Sequence, residues 1–326
     1  MFVVGGESLI DLVPKPQKQD GVILMEAHQG GSPYNCAIAL ARLGNQSGFL
    51  CPVSQDGFGD YLAAPLQKAG VRLLLSERVK EPTSLAVVSL NERGQAQYQF
   101  YRAADRAFDI DKMILSLPQN LKLYQIGGFC AIEPNDAQIW EQVARAALQK
   151  GATLSIDPNI RPSLVTDFAA YKQRLNRFFD LVHLIKLSLE DLEALDNSKS
   201  VDQHVEELLA RPNCRLVIVT DGENGSKAFT ASASASAEIY RPPVFGDTVG
   251  AGDALMAGVL TILFELDFLA ANRLGQLDQT SLKEVLRFGA VVAGLNCRQK
   301  GSHPASRAEV DKVLANSANQ PEDGAR

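Results

Sequence analysis

The feature that most constrains this chain is the regular alternation of short apolar runs with amphipathic segments. The apolar runs are FVVG at 2–5, GFLCPV at 48–53, LKLYQIGG at 121–128, ATLSID at 152–157, DLVHLIKL at 180–187 and CRLVIVTDG at 214–222. Short runs of this kind indicate strands that are buried on both faces. The intervening segments are predicted helices, at 32–43, 57–69, 135–149, 167–178 and 201–210. Strands and helices that alternate at this spacing form βαβ units, so we predict an α/β fold with a doubly wound, mostly parallel sheet.

Two segments, 8–27 and 85–102, interrupt this alternation because neither contains a predicted helix. The second alternates apolar and polar residues around Asn91-Glu92-Arg93-Gly94, which is typical of a β-hairpin. Both segments insert between strands of the N-terminal half. We therefore predict a small β-sheet lid over the carboxyl ends of the strands, where open α/β sheets bind ligands.

The C-terminal part contains one unusual stretch, TASASASAEIYRPP at 230–243, followed by helical patterns. Its alternation of alanine and serine predicts a weak antiparallel hairpin at the edge of the sheet. Helices are predicted at 252–267, 279–298 and 306–316. We expect a single domain over 1–316 and a frayed tail over 317–326.

Composition excludes several classes of protein. The formal net charge is −6 and no cluster of lysine or arginine occurs, which argues against a nucleic-acid partner. No signal peptide or membrane span is predicted, because no stretch approaches the roughly 20 apolar residues that a span requires. The five cysteines are scattered and never form a CxxC pair, which predicts reduced thiols in a cytoplasmic protein.

The motif with the clearest chemistry is FGDTVGAGDALMAGVL at 245–260. Glycines at 250 and 252 allow successive N–H groups to point one way, and the helix that follows adds its positive end, so together they form an anion site. Asp253 comes directly after this turn. An isolated acid there would be a surface residue that favours the helix dipole, but beside an anion site it can accept a hydroxyl proton during phosphoryl transfer. No GxxxxGK[ST] motif and no GxGxxG after a strand is present.

Two motifs resemble the signatures of ribokinase-like (phosphofructokinase B-type) carbohydrate kinases. DTVGAGDAL resembles the second signature and GGSPYNCAIALARLG at 30–44 resembles the first, and the likeness runs from GESLID at 6–11 to LNCRQKGSHP at 295–304. Within that family, GESLIDLVP, FYRAADRAF, SIDPNIRP and LIKLSLEDL are most similar to bacterial fructokinases. The resemblance implies an ATP-dependent kinase that phosphorylates the primary hydroxyl of a small sugar, with fructose as the first candidate.

Several alternatives stay open from the sequence. The same family includes 2-keto-3-deoxygluconate kinase, ribokinase and aminoimidazole riboside kinase, and a few lid contacts decide among these substrates. A sugar-binding regulator without catalysis would keep the fold but lose part of the site. An NAD-dependent dehydrogenase is the third interpretation of the α/β pattern. Its glycine-rich fingerprint requires a helix directly after the first strand, but VVGGESLID is followed by no predicted helix.

The resemblance implies roles for particular residues. It gives catalytic roles to Gly250, Ala251, Gly252, Asp253 and Arg161. It implies a sugar site formed by Asp11, Gly30, Gly31, Asn35, Tyr101, Arg102, Arg161 and Asp253. These types suit the task, because a carboxylate accepts hydrogen bonds from vicinal hydroxyls, glycine allows close approach and an amide both donates and accepts. Arg106 would only brace the lid.

For the nucleotide, the resemblance implies a site formed by Lys186, Ser188, Thr220, Gly222, Gly225, Gly252 and Asn296. ATP would bind with Mg²⁺, held through water by either Asp191 or its neighbour Glu190. A monovalent cation such as K⁺ is implied near Asp247 and Val249. The lid could also join two copies into a homodimer, although its outer face carries glutamines (Gln95, Gln97 and Gln99) that equally suit solvent.

Overall fold

The computed structural model describes residues 1–19, 22–90 and 96–318. The chain forms two compact units, one of Met1–Ile38 with Gln46–Val182 and the other of Ala39–Asn45 with the chain from His183 onward. The expectation of one domain over 1–316 stays a prediction. The predicted hairpin turn at 91–94, Gln95 and the predicted tail from residue 319 lie outside the described residues.

The first unit is built on a parallel sheet of five strands in the described part of the chain. The described strands of the whole unit, including those of a second sheet, are β1 (Phe2–Gly5), β2 (Leu9–Gln19), β3 (Val22–Gly30), β4 (Ser47–Leu50), β5 (Arg72–Leu73), β6 (Leu85–Leu90), β7 (Ala96–Tyr101), β8 (Leu123–Gly127) and β9 (Thr153–Asp157). Its helices are α1 (Ser32–Arg42), whose last turn belongs to the second unit, α2 (Gly57–Lys68), α3 (Ile110–Ser116), α4 (Pro134–Gln149) and α5 (Phe168–Phe179). The parallel sheet has the order β9-β8-β1-β4-β5.

Burial explains why these strands are continuous apolar runs. Every residue of β1, β4, β8 and β9 is buried, so no position along them favours a polar side chain facing solvent. Helix α4 buries Trp140, whose indole meets the Phe108 ring edge to face at 5.5 Å between centroids. Helices therefore cover the sheet, as the alternating pattern predicts.

A separate small sheet with the order β3-β2-β6-β7 corresponds to the two segments that interrupt the alternation. Strand β2 pairs antiparallel with β3 and parallel with β6, and β6 pairs antiparallel with β7. At its base, Leu9 and Ala86 pack on Phe129, and the Phe100 and Phe129 rings meet edge to face at 5.1 Å. These apolar contacts attach the small sheet to the loop that follows β8. Its function as a lid stays a prediction.

The second unit combines two parallel strands with an antiparallel hairpin. Its elements are β10 (Leu184–Ser188), α6 (Leu189–Asp196), α7 (Val201–Leu209), β11 (Leu216–Thr220), β12 (Ser226–Phe229), β13 (Ser234–Ala237), α8 (Ala251–Glu265), α9 (Ala271–Leu274), α10 (Gln279–Asn296) and α11 (Arg307–Ala318). Strand β10 pairs parallel with β11, and β12 and β13 continue antiparallel to the edge. The Ala/Ser stretch therefore forms the edge hairpin that its alternation predicts.

Helices α8 and α10 pack closely against each other in this unit. A Cβ on Gly258 would lie 3.0 Å from the Cα of Gly289, so glycine is needed where the two helices meet. Most of α8 is buried, which explains its apolar run after the GAG turn. Within residues 1–19, 22–90 and 96–318, no helix is long and apolar enough to cross a membrane.

The predicted fold class is confirmed: the protein has mostly parallel strands flanked by helices, and a separate small sheet. Four elements have no counterpart in the pattern analysis, namely α3, α6, α9 and β5. Three of them are eight residues or fewer and the fourth is a two-residue strand, which is too short to establish a periodicity.

Candidate active site

The carboxylate of Asp11, which is predicted to bind the sugar, lies against Gly30 in the first unit. Asp11 is on β2, opposite His28 on β3, and a Cβ on Gly30 would lie 3.0 Å from the Asp11 Cγ and closer still to Oδ2. Only glycine leaves room for this carboxylate. Burial raises the pKa of Asp11 to about 6, and the nearby His28 opposes the shift. Asp11 is therefore a poorly hydrated acceptor of the kind that binds hydroxyl groups.

Gly31 and Asn35 form the junction between β3 and helix α1. Gly31 has a φ of 110°, and a Cβ there would lie 2.6 Å from the carbonyl oxygen of Glu7, so the chain requires glycine at this turn. The Asn35 N–H donates to the Gly31 carbonyl at 3.0 Å and starts the helix. The Asn35 side chain is 8% exposed in this first turn. Asp11 thus lies against Gly30, and Asn35 bonds through its backbone to Gly31, while their role in sugar binding stays a prediction.

Arg102 is held in a buried ion-pair network at the root of the small sheet. Its Nη2 lies 2.6 Å from Asp105 Oδ2, and its Nη1 lies 2.9 Å from Asp136 Oδ2 on α4. Its guanidinium also lies over the Phe129 ring, 4.9 Å from the centroid. Ser84 donates to Asp105 and accepts from the Ala103 N–H at 2.9 Å. These contacts direct the guanidinium into protein, and its predicted contact with the sugar stays a prediction.

The other predicted arginines and Tyr101 have more open surroundings. Tyr101 ends β7 and is 59% exposed. Arg161 follows β9 and is exposed, and its Nη1 donates to the Ile160 carbonyl at 3.1 Å. Arg106 lies 3.1 Å from Asp136 through its Nε and so braces the same network as Arg102. Arg161 and Tyr101 are available to a ligand, whereas Arg106 pairs with Asp136, and its role in bracing the lid stays a prediction.

Glu7 is a buried carboxyl that the sequence analysis did not identify. Its Oε2 accepts a hydrogen bond from the Phe129 N–H at 2.9 Å, and Gly128 has a φ of 57° where a Cβ would collide with this carboxylate. Burial raises the pKa of Glu7 to about 7, although hydrogen bonding from Phe129 and the charge of Arg102 oppose the shift. The signal for it in the sequence is an acid placed two residues after a buried strand.

In the second unit, the GAG turn leads into the N-terminus of α8, where the Ala251 N–H donates to the Thr248 carbonyl at 3.0 Å, and its role as an anion site stays a prediction. Gly250 precedes α8 in the left-handed conformation, with φ of 73° and ψ of 7°, and a Cβ there would lie 2.5 Å from the Ser302 Oγ. Asp253 follows in the first helical turn and is 8% exposed. A Cβ on Gly252 would lie 3.0 Å from the Lys186 ammonium. The Lys186 ammonium therefore lies beside the N-terminus of α8, next to the residue that precedes Asp253.

Lys186, Ser188 and Asp191 lie at the junction of β10 and α6. Lys186 is 6% exposed on the strand. The Ser188 Oγ accepts from the Asp191 N–H at 3.1 Å, and the Asp191 Oδ2 accepts from the Ser188 N–H at 2.8 Å, which is a capping box. The pair Ser188 and Asp191, three residues apart, is the signal that could have predicted α6. Because Asp191 is buried in this cap while Glu190 is exposed, Glu190 has the accessible carboxylate.

The TDGENG turn follows β11 with two glycines in the left-handed region. Gly222 has a φ of 47° and Gly225 a φ of 89°, and the Asp221 N–H donates to the Gly225 carbonyl at 2.9 Å. A Cβ on Gly225 would collide with the carbonyl of Ala237 on β13. Thr220 is the last residue of the strand and is partly exposed beside this turn. The turn is thus also a tight strand connection, as the sequence allowed.

Asp247, Val249 and Asn296 form a hydrogen-bonded group next to the GAG turn. The Asp247 Oδ1 accepts from the Val249 N–H at 3.0 Å, and its Oδ2 accepts from the Gly301 N–H at 2.9 Å. Asn296 has no exposed surface, and its Nδ2 donates to the Val249 carbonyl at 2.7 Å. Asn296 therefore acts on the backbone of the loop. Among the described residues, no group of three or more His, Cys, Asp or Glu could hold a metal ion.

Comparisons with known proteins find relatives along nearly the whole chain. The profile of the pfkB family carbohydrate kinases matches residues 1–308. A probable fructokinase-3 of Arabidopsis thaliana is 31% identical over 323 residues, covering 96% of this chain and 90% of that protein. Fructokinase-2 of Solanum lycopersicum is 32% identical over 316 residues, covering 94% and 92%. The crystal structure of a Xylella fastidiosa fructokinase with bound ATP is similar with a TM-score of 0.87, at 28% identity and covering 98% and 99% of the two chains.

Proposed function

The chain belongs to the pfkB family of carbohydrate kinases, and we propose that it is a fructokinase that transfers the γ-phosphoryl group of ATP to the primary hydroxyl of fructose. The observation that carries this proposal is the GAG turn, where the Lys186 ammonium lies beside Gly252 and Asp253 follows in the first turn of α8. The choice of fructose is supported by two relatives named as a probable fructokinase and a fructokinase. This chain matches them at 31% and 32% identity over 90% and 92% of their length.

In this proposal, the GAG turn stabilises the charge of the transferred phosphoryl group. The N–H groups at the start of α8 and the Lys186 ammonium face the phosphate oxygens, and Arg161 adds a further cationic donor. Asp253 accepts the proton as the hydroxyl oxygen attacks the γ-phosphorus and the bond to the β-phosphate oxygen breaks, which leaves ADP. A base in this position contributes about 10²–10⁴-fold to the rate.

We assign sugar recognition to the group around Asp11 and nucleotide recognition to the group around Lys186. The Asp11 carboxylate accepts hydrogen bonds from two neighbouring hydroxyls, the glycines at 30 and 31 allow close approach, and Asn35 adds a polar amide. Tyr101 contributes an exposed ring at the end of β7. Thr220 and the turn at 222–225 are assigned to the nucleotide.

Mg²⁺ fits this set of donors, because it binds one or two carboxylates and keeps several waters. Glu190 would hold it through water, since Asp191 already accepts the Ser188 N–H in the cap of α6. When bound with ATP, the ion neutralises charge on the phosphates. The residues at 247 and 249 are a poor fit for the monovalent cation that the resemblance implies, because N–H donors of the protein already point at their oxygens.

The first experiment replaces the proposed base. Asp253→Asn keeps the size of the side chain but cannot accept the proton, so kcat should fall by about 10²–10⁴-fold while the affinity for fructose stays within about threefold. ADP release gives kcat, and calorimetry gives fructose binding. Asp278→Asn is the matched control, because Asp278 caps α10 and asparagine caps equally well. Near-normal turnover of Asp253→Asn would refute the assigned mechanism.

A second experiment measures substrate choice. ADP release from wild-type protein is compared for fructose, ribose, 2-keto-3-deoxygluconate and aminoimidazole riboside at equal concentration. The highest kcat/KM is expected for fructose. If the protein binds fructose without releasing ADP, it is the non-catalytic regulator. If kcat/KM is highest for another sugar, the chain is a kinase of that sugar within the same family.

Two further expectations concern the state of the protein in the cell. The five cysteines are all buried and unpaired by disulfides, which supports the proposal of a reducing, cytoplasmic environment. A homodimer through the lid is proposed because Tyr98 is 55% exposed on β7, at the edge of the small sheet. Analytical ultracentrifugation tests the dimer, and Tyr98→Lys should shift the protein toward the monomer.

A further inference from the structure

The loop that leads into the GAG turn is fastened to the segment after α10 by side chains of the second unit. The Asp247 Oδ2 accepts from the Gly301 N–H at 2.9 Å. The Asn296 Nδ2 donates to the Val249 carbonyl at 2.7 Å, and its Oδ1 accepts from the His303 N–H at 2.9 Å. Because Asn296 has no exposed surface, these two bonds are protected from competing water.

The orientation of the Asn296 amide is fixed by its partners. A backbone carbonyl can only accept a hydrogen bond, so the NH₂ group must face Val249. A backbone N–H can only donate, so the amide oxygen must face His303. A flipped amide would place two acceptors against each other at one end and two donors at the other. The NH₂ group therefore lies at the Val249 carbonyl.

This arrangement directs N–H hydrogens at the oxygens that a monovalent cation would need. A cation beside Val249 would have to bind the carbonyl oxygen toward which the Asn296 NH₂ group already points, and the hydrogens of that group carry partial positive charge. Both carboxylate oxygens of Asp247 also accept backbone N–H groups, from Val249 and Gly301. A cation at these oxygens would therefore lie against N–H hydrogens of the same sign of charge and compete with existing hydrogen bonds, which is unfavourable unless those bonds are replaced.

We propose that the Asn296 amide takes the place of a monovalent cation and positions the GAG turn, so that this kinase works without K⁺. This inference rests on the proposed function, since the turn matters for phosphoryl transfer. A neutral amide can do this work because it links an acceptor on one side to a donor on the other without the desolvation of an ion. Asn296 is a positioning residue, acting through the backbone at Val249.

The first test measures wild-type kinetics at constant ionic strength in potassium chloride and in choline chloride. The values of kcat/KM for ATP should agree within about twofold, and the melting temperature should be the same in both salts. Activation of the wild-type enzyme by K⁺, or an increase in its melting temperature that is specific to K⁺, would overturn the proposal.

The second test changes the amide to an acid of nearly the same size. In Asn296→Asp, a carboxylate oxygen replaces the NH₂ group and faces the Val249 carbonyl, so two acceptors meet and a cation between them becomes favourable. We expect kcat/KM in choline chloride to fall by about 10- to 100-fold, and potassium chloride to restore most of it. K⁺ should also raise the melting temperature of the variant, because it binds the folded state alone.

Asn45→Asp is the matched control within the same unit. The Asn45 Nδ2 donates to the Leu40 carbonyl at 3.1 Å and to the Thr261 Oγ1 at 2.8 Å, so the substitution also removes an amide donor. This variant should lose stability equally in both salts. If Asn296→Asp does not fold, Asn296→Ala replaces it, since removal of the amide leaves the Val249 carbonyl open to K⁺.

The outcomes for the inference are separate from those for the proposed function. If Asn296→Asp gains neither activity nor melting temperature from K⁺, the amide does not occupy a cation position and the inference is wrong. The melting temperature needs no substrate, so it tests the inference even if fructose is not the substrate. Failure of every sugar to release ADP, with a K⁺-stabilised Asn296→Asp, would overturn the function and leave the cation replacement intact.

Discussion

The contact between Gly30 and Asp11 leads to a quantitative prediction. In Gly30→Ala the new Cβ would lie 3.0 Å from the Asp11 Cγ and closer to Oδ2, so the carboxylate has to move by about 1 Å to reach normal van der Waals separation. A shift of this size breaks hydrogen-bond geometry to a bound hydroxyl. A hydrogen bond to a charged group contributes about 1.5–3 kcal/mol, so kcat/KM for fructose should fall by about 10- to 150-fold.

The assay measures initial rates of ADP release against fructose concentration at saturating Mg-ATP, followed by the same series against ATP. The KM for ATP should stay within about twofold, because the moved carboxylate is assigned to the sugar alone. Gly57→Ala is the control, since a Cβ on Gly57 would meet no atom within 4 Å.

A double-mutant cycle with Asp11→Ala identifies the cause. If the collision acts through the carboxylate, adding Gly30→Ala to Asp11→Ala should change kcat/KM by less than about twofold, because the affected group is already absent. An equal loss in both backgrounds would refute the reasoning, since the alanine would then be acting on the backbone or on the ligand directly.

Three further predictions follow from buried charges. The KM for fructose should fall as pH rises through about 6, where Asp11 ionises and becomes able to accept two hydroxyls, and Asp11→Asn should remove this dependence. The folded state raises the pKa of Glu7 from 4.5 to about 7, so the part of the free energy of unfolding that depends on a protonated Glu7 is lost as pH rises from about 5 to 8. In urea unfolding, Glu7→Gln should reduce that loss by about 2–3 kcal/mol, whereas the exposed Glu206→Gln should leave it unchanged. Lys186→Met should raise the KM for ATP by about 10- to 150-fold, while the exposed Lys227→Met leaves it unchanged.

Contradictory results are specific to each case. A fructose KM that is independent of pH between 5 and 8 would show that the ionisation of Asp11 does not control sugar binding. The same pH dependence of stability in wild type and Glu7→Gln would assign it to other groups. An unchanged KM for ATP in Lys186→Met would remove the lysine from the phosphate site.

Most of the fold could be predicted because its strands and helices have strong and different periodicities. The runs at 2–5, 121–128 and 152–157 contain β1, β8 and β9, whose residues are all buried. The predicted ends exceed the observed strands by up to four residues, as at 180–187 against Leu184–Ser188, because apolar side chains continue into buried loops. Burial thus determines the apolar pattern, while hydrogen bonding determines where a strand ends.

The candidate site was less predictable, because the sequence identifies residues but not the partners of their side chains. Arg102 matches a sugar-binding position by resemblance, yet its guanidinium pairs with Asp105 and Asp136. Asn296 matches a nucleotide position, yet it is buried and bonded to Val249. Both side chains contact residues far apart in sequence or across a turn, and single-sequence periodicity contains no information about such pairs.

The ion-pair network at the root of the small sheet limits how this enzyme could be engineered. Because Asp136 belongs to α4 while Arg102 and Asp105 follow β7, a chimera that imports a relative's sheet strands but keeps α4 would separate these charges. One unpaired buried charge costs about 3–5 kcal/mol, a large part of the stability of an ordinary domain. Exchange of sugar specificity between relatives would therefore have to transfer the strands, the loop at 102–106 and the start of α4 as one unit of recombination.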